Sequence, residues 1–205
     1  MSLQLPEMLK MTPKPDAEGD GTQYIFKPSL IGGAWQFDLT DRGLAWQIAG
    51  KSGTWPLQDI AGIRLSYRPV SMQAMRFRAD IENSKGGRVV LYSTTRHTVS
   101  MVARQDGGYR AFIVELHRRL KASGSKAVLI AGINPLLYCA GVVLMALVGL
   151  SIAALFVRAL WIGEWAGALF LAAFGGWFVW QIGGFMKRNR PRTYTFDALP
   201  MDVLP

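Results

Sequence analysis

Two stretches decide how this chain folds: PLLYCAGVVLMALVGLSIAALFV (Pro135–Val157) and WAGALFLAAFGGWFVWQIGGFM (Trp165–Met186). The first runs 23 residues with only Tyr138 and Cys139 able to ionise, and the second runs 22 with Gln181 as its one strongly polar member. At about 1.5 Å per helical residue, about 20 residues cross a hydrocarbon core about 30 Å thick. Both stretches suffice. Only Arg158–Glu164 separates them, so the sequence predicts a transmembrane helical hairpin over 134–187, started by Asn134-Pro135.

Charge sets the expected orientation. Residues 1–134 carry 18 Lys+Arg against 11 Asp+Glu, and residues 187–205 carry 4 against 2. Basic residues near membrane ends resist translocation. Arg118, Arg119, Lys121 and Lys126 flank one side of the hairpin, and Lys187, Arg188, Arg190 and Arg192 flank the other. Both termini are expected in the cytoplasm, with Trp161 and Trp165 at the opposite interface, where an indole buries its ring and keeps a polar edge wet. Residues 1–21 show no apolar signal segment and read as a flexible leader rich in Pro and Gly.

Between leader and hairpin the texture is β. Gln23–Lys27 reads as a strand, and Trp35–Leu39 with Gly43–Ile48 as a hairpin around Thr40-Asp41-Arg42. A turn at 50–53 leads to a short strand Thr54–Leu57, which Pro56 favours as an edge. Ile63, Leu65 and Tyr67 alternate with Arg64, Ser66 and Arg68; Met75, Phe77, Ala79 and Ile81 alternate with Arg76, Arg78, Asp80 and Glu82. Period-two patterning marks half-buried antiparallel strands with the polar residues outward. Gly86-Gly87 turns into Arg88–Thr94, and His97–Val102 supplies a further strand before Asp106-Gly107-Gly108. The period then changes: Tyr109, Phe112, Ile113, Leu116 and Leu120 form one stripe of a helix. The expected organisation is a soluble domain at 22–122, a tether at 123–133, the hairpin, and a tail at 188–205. That tail is either a docking peptide or a strap over the domain.

The hairpin FDLTDRGLAW (Phe37–Trp46), the segment WPLQDIAGIRL (Trp55–Leu65) and the helix YRAFIVELHRRL (Tyr109–Leu120) give residues 24–121 a strand order and texture that resembles a bacterial pleckstrin-homology-like domain. The resemblance implies an α+β fold, mostly an antiparallel bent sheet or barrel closed by the amphipathic helix. It also implies an inner-membrane bacterial protein that binds lipid headgroups or protein segments and is not an enzyme.

The residues themselves offer little catalytic chemistry. Asp38, Asp41 and Asp59 fall at strand ends and turns, where carboxylates cap nearby N–H groups. His117 sits beside Arg118 on the helix without a base partner, and the paired glycines lack a P-loop lysine or dinucleotide fingerprint. One cysteine excludes an intramolecular disulfide, and His97 and His117 lack partners at metal-ligand spacing. No cofactor or metal is expected. The pI near 10 invites nucleic acid, but the basic residues track the membrane flanks and no recognition module is visible.

The basic strand face is the stronger lead. Arg64, Arg68, Arg76 and Arg78 share one side of a predicted hairpin, where like charges repel unless Asp80 and Glu82, anionic lipids or an acidic partner compensate. Within the membrane, Ala168, Ala172, Gly176 and Gly184 lie in a small-residue row, with Gly141, Gly149 and Ala153 on the other span. Such rows let helix backbones approach, either within the hairpin, in a homo-oligomer, or against a larger membrane complex. Neither span holds Asp, Glu, Lys or Arg, which speaks against a transport pathway. The sequence therefore points to a non-enzymatic membrane-tethered binding or scaffolding module, or alternatively to an accessory subunit docking through the hairpin.

Overall fold

The computed structural model describes residues 20–29, 32–69, 75–96 and 102–205. Four strands form an antiparallel meander: β1 (Gln23–Phe26), β2 (Trp35–Thr40), β3 (Gly43–Ile48) and β4 (Lys51–Trp55), with β4 at the edge. The β3–β4 turn comes earlier than the 50–53 expected from sequence. Ala49 and Gly50 both take positive φ, 47° and 79°, so two residues close the hairpin and Ile48 pairs with Lys51. Two consecutive left-handed residues match the twist of the flanking strands, which releases Lys51–Gly53 into the strand.

The second sheet has the order β11-β10-β5-β6-β7 and contains β5 (Ile60–Tyr67), β6 (Phe77–Asn83) and β7 (Arg88–Tyr92) as an antiparallel run. The alternation read from sequence holds on its apolar side, with Ile63, Leu65, Phe77, Ala79 and Ile81 buried. On its polar side Ser66 and Asp80 are buried as well; Asp80 stays on the outward face, covered by the two arginines that bind it. A ribbon of β8 (Thr94–Arg96) and β9 (Val102–Arg104) follows. Most of the strand expected at His97–Val102 lies outside the described residues.

Helix α1 spans Asp106–Ala122, so Asp106-Gly107-Gly108 is its first turn and not a separate loop. Asp106 at that end suits the positive pole of the helix dipole. The apolar stripe is wholly buried: Tyr109, Phe112, Ile113, Leu116 and Leu120 each show no exposed surface. Phe112 meets Phe37 and Tyr24 at ring distances of 6.5 and 6.0 Å, tying α1 to the first sheet. Fully burying each such side chain contributes roughly 1.5–3 kcal/mol. The result is an α+β domain in which both sheets and α1 share one core.

Two segments change the expected domain boundaries. Residues 128–131, inside the stretch read as a tether, form strand β10, which pairs in parallel with β5 (Val128 with Gly62 through Ala131 with Leu65). Residues Arg192–Thr193 form β11, antiparallel to β10. Leu129, Ala131, Val203 and Leu204 all join the domain core. The tail is thus a strap, held further by Arg110 donating to the Pro205 carbonyl at 2.9 Å and by ion pairs Lys121–Asp197 and Arg192–Asp202. One domain is built from both sides of the apolar hairpin, and the hairpin is an insertion between two neighbouring strands.

The hairpin consists of α2 (Pro135–Trp161) and α3 (Trp165–Arg188). Asn134 caps α2, its side-chain oxygen accepting from the Leu136 N–H at 2.9 Å, with Pro135 at the first helical position. At 27 and 24 residues both helices exceed the length needed to cross a membrane, and both are apolar enough.

The buried strap carries a pH expectation. His117 lies in the core with Nδ1 2.7 Å from the Ile113 carbonyl and Nε2 2.9 Å from the Tyr194 hydroxyl. The carbonyl can only accept, so Nδ1 carries the proton and Nε2 accepts from Tyr194. Burial pushes the His117 pKa down to about 4, against a smaller opposing pull from the Ile113 carbonyl. An unfolded chain takes up this proton near pH 6.5 and the folded chain does so only near pH 4. Stability from this group is therefore complete above pH 6.5, falls between 6.5 and 4, and levels off below. The span corresponds to about 3 kcal/mol. Chemical denaturation of wild type and His117→Gln across that window checks it; the variant is expected to lack this slope.

Candidate functional site

The hairpin is rooted in the second sheet through a small set of backbone contacts. β10 runs alongside β5 and ends at Ala131; the Gly132 N–H then donates to the Leu65 carbonyl at 2.7 Å. Asn189, the residue closing α3, is fully buried. Its side-chain oxygen accepts from the Tyr67 N–H at 3.0 Å, its amide nitrogen donates to Phe185 at 3.3 Å, and its carbonyl accepts from the Ile133 N–H at 3.2 Å. A single asparagine therefore joins the end of β5, the start of α2 and the end of α3. The Arg188 guanidinium lies over the Tyr67 ring at 5.2 Å.

This root places the end of β5 at the level where the helices leave the domain. Arg68 follows Tyr67 directly, and its N–H donates to the Arg76 carbonyl at 2.7 Å. The β5–β6 register sets Ser66 opposite Arg78 and Arg64 opposite Asp80. Arg64, Arg68, Arg76 and Arg78 thus share the outer face, as the alternation requires, but their charges are not equivalent. Asp80 takes bidentate bonds from Arg78 and a further contact from Arg88 at 2.8 Å. Burial alone would lower the Arg78 pKa; the Asp80 carboxylate outweighs it and raises it. Arg64 borders a shallow depression of about 200 Å³ that Asp80, Glu82, Val128 and Ile130 also line. Arg68 and Arg76, at the end of the sheet where the helices leave, have no carboxylate within ion-pair distance among the described residues, and neither does Arg64.

Arg76 lies over the Tyr92 ring at 4.6 Å, which offsets part of its charge. Its pKa is lowered, chiefly by burial, with the Tyr92 side chain opposing and Arg96, Arg78 and Arg68 adding like-charge repulsion. Among the described residues, the Nε atoms of Arg68 and Arg76 and Nη1 of Arg64 are shielded from solvent and have no hydrogen-bond partner. Sequence alternation located Arg68 and Arg76; Tyr92 carried no local signal. Asn after two basic residues at a helix end is the one hint at the root, because Asn is a frequent helix terminator.

The other basic flank residues separate in space. Arg118 and Arg119 bond Glu115, drawing its pKa down to about 2, and Lys121 pairs with Asp197. They belong to α1, and β10 stands between Lys126 and the start of α2. Nearness in sequence to α2 does not place them at the helix root. Lys187, Arg188 and Arg190 do lie there, exposed at the end of α3, while Arg192 pairs with Asp202.

Helix packing follows a different row from the one the small residues suggested. The inner face of α3 runs through Ala168, Leu171, Gly175, Phe178 and Ile182 to Met186, the 3-4 spacing of near-antiparallel helices. A methyl added at Gly175 would meet Ile152 at 3.3 Å, and one at Gly141 would meet Met186 at 3.6 Å. Of the expected row only Ala168 is buried; Gly176 and Gly184 have nothing within 4 Å of an added methyl. Spacing by four drifts around a helix with 3.6 residues per turn. Ala172 and Gly176, with Gly149 and Ala153, instead line an open apolar groove of about 260 Å³ on the flank of the hairpin.

The remaining polar candidates have local roles. Asp38 accepts from the Gln23 and Gln36 side-chain amides, and Asp59 sits in a short helical turn before β5. Cys139 is exposed on α2, and no cluster of metal-ligating side chains occurs among the described residues. No family model, curated protein or solved structure matches the chain.

Proposed function

We propose that this chain is a non-enzymatic, membrane-tethered binding module of the cytoplasmic membrane. Its hairpin crosses the bilayer twice, both chain ends stay in the cytoplasm, and the basic face of a pleckstrin-homology-like domain meets lipid headgroups. One observation carries the reading: the helices expose most of their large apolar side chains, Leu136 at 80% and Trp161 at 88% among them, and grow from a sheet whose near end carries arginines. An apolar surface of that extent is incompatible with water. Because the root is hydrogen-bonded rather than a free linker, the domain is held in one pose against the membrane surface. Each basic residue near an anionic surface adds about 1 kcal/mol of attraction.

The full chain is needed for the test, since β10, β11, Val203 and Leu204 complete the domain core. Reconstituted with mixed phosphatidylcholine and phosphatidylglycerol, the wild type is expected to retain phosphatidylglycerol preferentially, less so at high salt. Joint replacement of Arg64, Arg68, Arg76 and Arg78 by glutamine should reduce that preference. An unchanged preference would remove the lipid contact from this face.

A second reading, an accessory subunit of a larger membrane complex, is favoured by the groove along Gly149, Ala153, Ala172 and Gly176, into which another helix could pack. Stoichiometric co-purification of a membrane partner in mild detergent, lost on widening Gly176 to leucine, would support it.

A further inference from the structure

We propose that the strap makes closure of the domain conditional on membrane topology; this rests on the membrane-spanning reading above. Residues 190–205 complete the core only when both spans have crossed, and a chain whose tail lies across the bilayer keeps an open domain.

The dependence comes from chain order. Strands β1 to β10 and helix α1 precede the hairpin, and β11 follows it. Only residues 132–134 join β10 to α2, and only residues 189–191 join α3 to β11. Three residues reach at most about 11 Å, far less than a bilayer. The pairing of Ile130 with Thr193 and of Ala131 with Arg192 therefore needs α2 to start and α3 to end side by side. With α3 uncrossed, about 30 Å of hydrocarbon would separate the tail from β10.

The strap fastens to elements made before the hairpin. The Tyr194 N–H donates to the Leu129 carbonyl at 3.2 Å, and its hydroxyl meets Nε2 of His117 at 2.9 Å. Phe196 stands edge-on to the His117 ring at 6.1 Å. Arg110, His117 and Lys121 engage the strap along most of α1. Val203 and Leu204 fill the core itself, and Tyr194, Phe196 and Leu199 pack against it. Losing them opens an apolar pit and leaves a buried histidine nitrogen without its partner, and both costs raise the population of the open domain. A fault in the membrane is thus reported in the water-facing domain.

The joint also carries the residues that set orientation. Lys187, Arg188 and Arg190 resist translocation at the end of α3, and Arg192 does so while clipping Asp202 within the strap. Charge keeps the tail on the domain's side, and the strap turns that placement into a closed core.

The test uses full-length chains in sealed inverted membrane vesicles, whose cytoplasmic face meets added protease and peptide. Phe170→Arg, Phe174→Arg and Trp177→Arg together put three charges on exposed positions of α3 and oppose its insertion. Leucine at the same positions keeps the span. In a Cys139→Ser background, Met201→Cys reports the tail through an impermeant maleimide. The wild type and the leucine variant should label at position 201 and keep a protease-resistant domain. In the arginine variant position 201 should be shielded, and cleavage within residues 20–131 should run on the order of a hundredfold faster. Deleting residues 165–186 forces a single span and should have the same effect. A synthetic peptide of residues 190–205, added in excess outside, should slow that cleavage about tenfold or more. The same peptide with Val203→Asp and Leu204→Asp should not. A shielded tail with a resistant domain, an accessible tail with an open domain, or two peptides of equal effect overturns the dependence on topology and leaves the spanning reading standing. Labelling of both Ile162→Cys and Met201→Cys in sealed vesicles, with α3 unaltered, removes the spanning reading itself.

Discussion

Gly132→Ala is expected to detach the hairpin from the sheet. Gly132 has φ +90°, and an added Cβ would stand 2.5 Å from the Asn189 carbonyl oxygen and 2.6 Å from that of Arg190. Both neighbours are backbone, so neither can swing aside. Moving them breaks the Ile133–Asn189 hydrogen bond and disturbs the Gly132–Leu65 bond that carries β10 into the helix. Left-handed strain of about 1–2 kcal/mol adds to an overpacking cost of about 1–3 kcal/mol, for a total of about 3 kcal/mol. Denaturant titration of the detergent-solubilised chain, followed by tryptophan fluorescence, measures it. Asn189→Ala should act in the same direction by leaving the Tyr67 N–H without its acceptor, at about 1–3 kcal/mol. Wild-type stability in both variants would mean the joint is a loose linker and the domain swings freely.

The second large effect concerns the other end of the chain. Deleting residues 200–205 removes Val203 and Leu204, exposed by 0% and 4%, from the domain core. It also removes the Arg110–Pro205 bond and the Arg192–Asp202 pair. Truncating one buried leucine costs about 2–5 kcal/mol, and the deletion opens the core beside α1 as well. A loss of about 5 kcal/mol is comparable to the whole stability of an ordinary domain. The deleted chain is expected to be cut rapidly within residues 20–131 in limited proteolysis, while α2 and α3 stay protected in the detergent micelle. Leu204→Ala alone should give an intermediate effect. Resistance equal to wild type would show that the strap is dispensable.

Much of the fold was legible because its signals are long or strictly periodic. The apolar hairpin needed only length, α1 only its five-residue stripe, and β5 and β6 only alternation. What stayed hidden depended on partners distant in sequence. β10 is four residues, VLIA, too short and too close to α2 to separate from the apolar run that follows. The strap offered Val203 and Leu204 without any period, and only their burial against the core defines them. The four-arginine face was visible from alternation, but its division into neutralised and unneutralised members required the Asp80 geometry. The row of small residues did not tell which of its uses applies, because small side chains in an apolar helix line an open groove as readily as a tight contact.

The central claim is that the hairpin spans the bilayer twice with the domain and both chain ends on one side. Cysteine accessibility in intact cells tests it most directly, using single-cysteine chains in a Cys139→Ser background. Ile162 and Met201 are both well exposed, so Ile162→Cys reports the α2–α3 connection and Met201→Cys reports the strap. A membrane-impermeant maleimide should label position 162 from outside and position 201 only after permeabilisation. Labelling of position 201 in intact cells, or recovery of the unmodified chain in a detergent-free soluble fraction, would contradict the account.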